Sequence, residues 1–423
     1  MLAFALAAVA AACAGDSPLG GGDAGREEAA LIALQTAFLA DDCDQVVALA
    51  AGFSASTDLR LHAVTTMYGR CLWRRGDAAG AVTLLARVAY VDPPDAAVPG
   101  ALFWLGRARI DADDAVTALA DLARFRERFA HHIYFDDAIY YSGKAHAVAG
   151  DPTAAIADFA AVLALPGASD SLRVEASYET ALALVQRAAG DAASPDLELA
   201  YGWFETVRND FASSVYADNA AYHLGRVRFD QGRWAEAEAL ELSALADWPT
   251  STWRPSMGYV LGRARYELGL LGPAIEAFAI TLEDATSLYH DNALYYTGRS
   301  WYRLALNDPE RYPLAIGFFD RVLAEHPTSS YADDAAYFRA RAYFELEDLE
   351  RADAAFALIP TSFPTSPYLD NALHYLVLVR LALDDCAGAR AALDALAAIT
   401  PPSSFLASTQ AVFAGSPCAA VSP

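Results

Sequence analysis

Basic residues are scarce in this chain. Thirty Lys and Arg stand against 54 Asp and Glu, a formal charge of −24 over 423 residues. So acidic a chain lacks the positive patches that hold phosphate backbones or anionic headgroups, which argues against nucleic acid and charged lipid surfaces as main partners. No apolar run reaches the roughly 20 residues needed to cross a bilayer. Cys-x-x-Cys pairs and Cys/His clusters of zinc spacing are missing. Gly143-Lys144-Ala145 lacks the Ser/Thr and the upstream Gly of a phosphate loop, and no strand precedes the Gly-rich run from Gly20 to Gly25. No Ser/His/Asp arrangement stands out. His131, His132, Asp136 and Asp137 are close enough to be weighed as metal ligands, but their place before a helix reads better as a cap cluster. Neither a metal, a cofactor nor a catalytic centre is therefore expected. Hydrophobic residues make up 55% of the chain and charged ones 20%, enough to bury a core.

The amino terminus is apolar from Met1 to Ala12 and then reaches Cys13. Such a length fits the apolar part of a signal peptide. Small residues running into a cysteine resemble a bacterial lipoprotein cleavage site, with Cys13 as the lipid-bearing residue. The departures are the absence of Lys or Arg before the run and Ala10 where that family usually has Leu. An ordinary cleaved signal and a frayed Ala-rich helix remain as alternatives. The expected layout is a signal peptide over 1–12, an anchor cysteine and flexible tether over 13–25, and repeats over 26–423.

What fills the rest is a phrase that returns. Tyr134-Phe135-Asp136-Asp137-Ala138-Ile139-Tyr140-Tyr141 recurs from Tyr216, Tyr289, Tyr331 and Tyr368. Anchoring on the small residue of each unit gives the column Gly69, Gly106, Gly143, Ala181, Gly225, Gly262, Gly298 and Ala340, with Val377 in its place in the last unit. Most spacings are 36 to 38 residues; the two longer ones carry insertions near Ala192–Asp196 and Asn307–Tyr312. Twelve residues after the small residue stands Ala81, Ala118, Ala155, Ala237, Ala274, Ala352 or Ala389, and in the two longer units the equivalents are Ala200 and Ala315. An aromatic often follows four residues on, as Phe159, Phe204, Phe278, Phe319 and Phe356. A proline closes many units, as at Pro93, Pro166, Pro249, Pro327, Pro364 and Pro401. With a weaker unit over Arg26–Phe53, about ten helix pairs are expected. In each, Ser329 or Ser366 is expected to cap the first helix, with Pro367 at the next position. The Asp pair sits in the first turn, where the helix dipole favours negative charge. A turn such as Gly76-Asp77 or Gly150-Asp151 separates the two helices.

This order of small residue, Ala, aromatic and closing proline resembles the tetratricopeptide repeat family, though the unit is about three residues longer than that family's usual length. The resemblance implies an all-α, tetratricopeptide-type right-handed superhelical solenoid that holds other proteins and is not an enzyme. The Tyr-x-Asp-Asp/Asn-Ala-x-Tyr phrase is similar to repeats of bacterial envelope proteins, namely the outer-membrane β-barrel assembly lipoprotein and the periplasmic coordinator of the Tol–Pal system. It implies an outer-membrane lipoprotein facing the periplasm, or a periplasmic or secreted protein. Its partners would be other envelope proteins or peptides, and its membrane contact the lipid anchor alone. A different reading is a helical accessory domain of a peptidoglycan-acting enzyme system.

An aromatic three residues before each small residue and a basic residue one after it lie four apart, on one helix face. The pairs include Tyr140 with Lys144, Tyr222 with Arg226, Tyr259 with Arg263, Tyr295 with Arg299 and Tyr337 with Arg341; Phe103 and Arg107 belong to the same series. By the resemblance, this face lines a concave groove, where Tyr would offer flat contact area and Arg would fork onto carboxylates. The competing reading is that the stripe builds the repeat, each Tyr packing between units and each Arg pairing with a neighbour.

If Cys13 carries lipid, an even number of cysteines remains, which suits an oxidising compartment. Cys43 and Cys386 fall at helix–helix turns of the terminal units, each with one cysteine downstream. Bridges Cys43–Cys71 and Cys386–Cys418 would staple ends that lack a neighbour. Four buried free thiols are the alternative.

Overall fold

The computed structural model describes residues 24–50 and 60–420. Cys13 and the expected signal peptide lie outside the described residues. Within them are twenty-one α-helices and no strand, and they form two compact units, up to Ala217 and from Asp218.

In the first unit, five antiparallel pairs follow one another: α1 (Ala24–Leu39) with α2 (Cys43–Ala50), α3 (Arg60–Arg74) with α4 (Ala78–Ala89), α5 (Val98–Asp111) with α6 (Ala115–Arg128), α7 (Phe135–Val148) with α8 (Pro152–Ala164), and α9 (Asp170–Ala188) with α10 (Pro195–Asp210). The second unit has five more: α11 (Ala217–Asp230) with α12 (Trp234–Asp247), α13 (Arg254–Glu267) with α14 (Leu271–Leu282), α15 (His290–Ala305) with α16 (Tyr312–Glu325), α17 (Ala332–Glu345) with α18 (Leu349–Ser362), and α19 (Leu369–Ala382) with α20 (Cys386–Ala397). A single helix, α21 (Leu406–Ala414), closes the array. Ten pairs match the expected count. The two long repeats are a 19-residue α9 and a short 3-10 turn, Pro309–Arg311, before α16.

The turn within a pair is written in the sequence. Gly76, Gly150, Gly232 and Gly269 take positive φ, between 72° and 84°, which glycine adopts without a Cβ penalty. Asp41, Asp113, Glu347 and Asp384 do the same at φ near 60° in their pairs. The next residue is often an Asp whose carboxylate accepts from the third N–H of the second helix: Asp77 from Gly80 at 2.8 Å, Asp151 from Ala154 at 3.0 Å, Asp385 from Gly388 at 2.9 Å. That satisfies a donor the helix leaves free.

The small column works as expected. A Cβ added at Gly143 would lie 2.6 Å from the Phe159 ring, and one at Gly262 would lie 2.5 Å from Phe278. Those rings, with Phe204, Phe319 and Phe356, are fully buried. First helix and second helix therefore touch through a bare backbone on one side and an aromatic on the other. Between pairs within each unit, successive first helices such as α5 and α7, or α15 and α17, also meet directly.

One local expectation needs correction. Ser329 and Ser366 do not cap the first helices. Each Oγ accepts from the N–H two residues on, Tyr331 and Tyr368, at 3.1 Å. Those tyrosines are the cap residues, with no side-chain cap bond of their own. The serine instead shapes the turn leading in, and Pro367 lies before the helix. A serine so placed is free to donate backwards to the preceding pair: Ser251 to Asp218 and Ser329 to Asp291 at 2.6 Å, Ser403 to Asp370 at 2.9 Å.

Candidate functional site

The recurring phrase is largely an interlock between repeats. The aromatic at its Tyr140 position lies under the cap aromatic of the following pair: Phe103 under Tyr134 at 4.5 Å between centroids, Tyr259 under Tyr289 at 4.4 Å, Tyr295 under Tyr331 at 4.6 Å, and Tyr337 under Tyr368 at 4.5 Å, with planes within 20° of parallel. The second Asp or Asn of the phrase reaches back to the phenol of the preceding pair. Asn292 Nδ2 donates to Tyr259 Oη at 3.1 Å, and Tyr295 Oη donates to Asp334 at 3.0 Å. Ala138, Ala220, Ala293, Ala335 and Ala372 of the phrase are fully buried.

This placement corrects the tyrosine half of the expected binding stripe. Tyr140, Tyr222, Tyr259, Tyr295 and Tyr337 are 3 to 6% exposed, so their faces are spent on the core. Burial pushes the Tyr222 and Tyr295 phenols far above their ordinary pKa, as it does for Tyr140. A helix-face argument finds that these residues align; it says nothing of what the face meets, because that depends on how far each pair is offset from the next.

The basic half is different. Its residues are partly exposed, and most are paired: Lys144 with Glu179 at 2.7 Å, Arg226 with Asp230 at 3.0 Å, Arg263 with Glu267 at 3.2 Å, and Arg341 with Glu345 at 2.5 Å. Arg299 donates to Tyr295 Oη at 2.6 Å. Several also lie over a ring of the next repeat, Arg263 on Tyr296 at 4.0 Å, Arg299 on Phe338 at 3.7 Å and Arg341 on Tyr375 at 4.2 Å. Such stacking is attractive by itself.

Arg107, on α5, has the stacking without the pairing. Its guanidinium lies 4.1 Å from the Trp73 ring on α3 and 4.1 Å from the Tyr141 ring on α7, and its buried Nε has no hydrogen-bond partner. Burial pulls its pKa down, while Tyr141, Asp137 and Asp111 oppose that. It opens on a pocket of about 210 Å³ lined by Trp73, Arg107, Ile110, Asp111, Tyr141 and Lys144. Trp73 Nε1 donates to Asp111 at 2.5 Å, which fixes one wall. Nearby Asp137 has its carboxyl raised to about 6, by burial first and by Asp136 beside it. The first unit thus offers an aromatic clamp around a fork of donors, a geometry suited to a carboxylate.

Cys43 is joined to Cys71 and Cys386 to Cys418, each pair with Cα atoms 5.0 Å apart. Of the four residues weighed as metal ligands, His132 accepts from the Tyr134 N–H at 3.3 Å and Asp136 from the Asp137 N–H at 3.1 Å, so both serve the turn into α7.

A residue missed from the sequence is Glu241 on α12. It takes the place held by Phe159 and Phe278 in other pairs, packs against Gly225, and is fully buried with both carboxylate oxygens unpartnered. Burial raises its pKa well above the ordinary value, against the pull of Arg226. The signal was an acid in an otherwise apolar column.

The sequence pattern of the tetratricopeptide repeat family matches residues 204–252 and 259–330. Among solved structures, the apo form of RapI is similar over 78% of this chain and 93% of its own, at 10% identity and a TM-score of 0.54. The C-terminal part of a TPR repeat-containing protein from Cytophaga hutchinsonii matches at 14% identity over 64% of this chain and 98% of its own, with a TM-score of 0.47. A tetratricopeptide repeat protein from Parabacteroides merdae matches at 14% identity over 66% and 98%, with a TM-score of 0.46. At such identities the likeness to RapI is one of fold. No curated protein matches the chain.

Proposed function

We propose that this chain, a tetratricopeptide repeat protein, is a non-catalytic protein–protein interaction scaffold of the bacterial cell envelope that takes an acidic side chain or chain end of its partner at Arg107. The observation that carries the reading is the Arg107 guanidinium, held between Trp73 and Tyr141 with a buried Nε that has no hydrogen-bond partner. In the other repeats the equivalent cation is mostly occupied within the protein. A charge fixed between two rings is already ordered, so a partner carboxylate pays little entropy to meet it. Lys144 at the pocket rim adds a second positive charge.

The envelope part of the proposal rests on the apolar run into Cys13 and on the similarity of the Tyr-x-Asp-Asp/Asn-Ala-x-Tyr phrase to envelope repeats. In it, Cys13 carries lipid, the protein faces the periplasm from the outer membrane, and its work is outer-membrane protein assembly or envelope maintenance. The lipid is its sole membrane contact, and the acidity of the chain speaks against nucleic acid.

Two experiments test these parts separately. Proteins captured from detergent-solubilised envelope by the wild-type chain are compared with those captured by Arg107→Gln and by Arg351→Gln, the latter an exposed control. Loss with the first variant and retention with the second supports the pocket; equal capture by both removes it. A Cys13→Ser variant should move from the membrane to the soluble fraction, and unchanged fractionation would remove the anchor.

A further inference from the structure

Most positions in a repeat array are shared because they build the repeat. A polar cluster found in one pair alone is not needed for that, and the α15–α16 pair has one. His290 is the first residue of α15 and is 3% exposed. His326 follows the last residue of α16, Glu325. Five residues before the cap aromatic, where His326 stands, other repeats have Phe129, Phe211, Trp248 or Phe363, and in two places the polar Asp284 and Thr400. At the His290 position they have Phe135, Ala217, Arg254, Ala332 or Leu369. Two imidazoles have therefore replaced what are mostly apolar residues, on the two ends of one hairpin, 36 residues apart.

These side chains converge. His290 Nδ1 lies 2.9 Å from His326 Nε2, and one donor atom from each of His290, His326 and Glu325 falls within 4.8 Å of the others. Among the described residues this is the one group of three or more His, Cys, Asp or Glu side chains gathered so closely. We propose that His290, His326 and Glu325 bind a divalent first-row transition-metal ion of the zinc type. Two imidazoles and one carboxylate suit zinc, nickel or copper; magnesium and calcium prefer sets made of oxygen alone. Around a tetrahedral zinc with bonds of about 2.0–2.1 Å, two nitrogens stand roughly 3.3 Å apart. The rings need to part by only about 0.4 Å from their present contact to admit the ion.

The surroundings fit this use. Arg321 grips Glu325 through Nε at 2.7 Å and through Nη2 at 3.2 Å, which aims the carboxylate and leaves it one further lone pair on each oxygen. Asp291, Asp284 and Glu325 add negative charge around His290, against the positive charge of Arg321. Glu325 is exposed and His326 half-buried, so an ion and water could reach the group from solvent. Bound there, the ion would tie the start of α15 to the end of α16 without needing any protein partner, so the inference stands apart from the scaffold reading.

The test uses the untagged chain carrying Cys13→Ser, stripped with chelator and kept in non-reducing buffer so that the bridges stay closed and no cysteine thiol competes. Zinc sulfate titrated in a calorimeter should bind one to one, and cobalt chloride should give the visible absorption of a tetrahedral site. Zinc should raise the melting temperature. His326→Gln and, separately, His290→Asn should each weaken zinc binding about tenfold or more and abolish the thermal shift, with circular dichroism unchanged. Glu325→Gln, at an exposed position that leaves folding untouched, should weaken it as well. No zinc binding by the wild type, or equal binding by wild type, His326→Gln and Glu325→Gln, would overturn the site and leave the two imidazoles as a simple hydrogen-bonded pair.

Discussion

The phenol ring of Tyr259 lies flat on that of Tyr289, with 4.4 Å between centroids and 8° between planes, and Asn292 of the second repeat donates to the Tyr259 hydroxyl. One residue's face and edge are both claimed by the next hairpin. The same relation returns down the second unit at Tyr295 with Tyr331 and Tyr337 with Tyr368. Stacked rings of this kind couple by about 0.5–1.5 kcal/mol beyond the area they bury. A double-mutant cycle of Tyr259→Leu and Tyr289→Leu, read by urea unfolding, should recover a coupling of that size. Replacing Tyr222, Arg226, Tyr295 and Arg299 together should lower helicity and the melting temperature. Retained stability in that variant would mean the stack contributes nothing.

Gly262 and Gly202 should respond oppositely to the same change. A methyl at Gly262 meets the Phe278 ring at 2.5 Å, while Gly202, within α10, has nothing within 4 Å. Gly262→Ala should therefore lose about 1–3 kcal/mol to overpacking, offset by less than about 1 kcal/mol of helix propensity. Gly202→Ala should gain about 0.5–1 kcal/mol. Chemical denaturation of the two variants beside the wild type decides it.

Glu241 makes stability depend on pH in a particular direction. Its folded pKa is raised, so below the unfolded value of about 4.3 the carboxyl is protonated in both states. As pH climbs above that, the unfolded chain releases a proton that the folded one keeps, and stability falls until the folded pKa is passed. Relative to Glu241→Gln, the wild type should thus weaken steadily from acid toward neutral pH. At neutral pH Glu241→Phe, which restores the residue type of the neighbouring repeats, should stabilise by about 1–3 kcal/mol by removing a buried unsatisfied group. A flat difference between wild type and Glu241→Gln across pH would contradict this.

Denatured, unreduced protein should show no titratable thiol at Cys43, Cys71, Cys386 or Cys418. The two bridges close loops of 28 and 32 residues in sequence, each reducing the freedom of the unfolded chain by about 3–4 kcal/mol in the loop-entropy account. Reduction should accordingly loosen the terminal pairs first, visible as faster amide exchange in α1–α3 and α19–α21 while the middle repeats of each unit stay protected.

Much of this molecule was legible in its residues. The period of about 37, the glycine and alanine columns, the Gly-Asp turns and the closing prolines all depend on local backbone rules, and each did in the structure what its chemistry requires. Ser329 and Ser366 stand two residues before the caps they were expected to be, because a turn bonded by Oγ and a helix cap share one sequence signature. Glu241 is marked in the sequence only as an acid in an apolar column, and the nearness of His290 to His326, 36 residues away, is a product of the hairpin's packing.

The sequence by itself determined that the chain is made of paired helices in series, since helical periodicity, turn chemistry and a repeating unit that cannot bury its own face are all properties of short segments. It also determined that an aromatic and a basic residue share one face of most of the middle first helices. Whether that face meets the next hairpin or the solvent was decided by the tertiary structure alone. The offset between successive pairs brings a cap aromatic down onto the ring before it and leaves Arg107 between two rings with its Nε unpartnered; that offset arises from contacts dozens of residues apart, which no local pattern encodes.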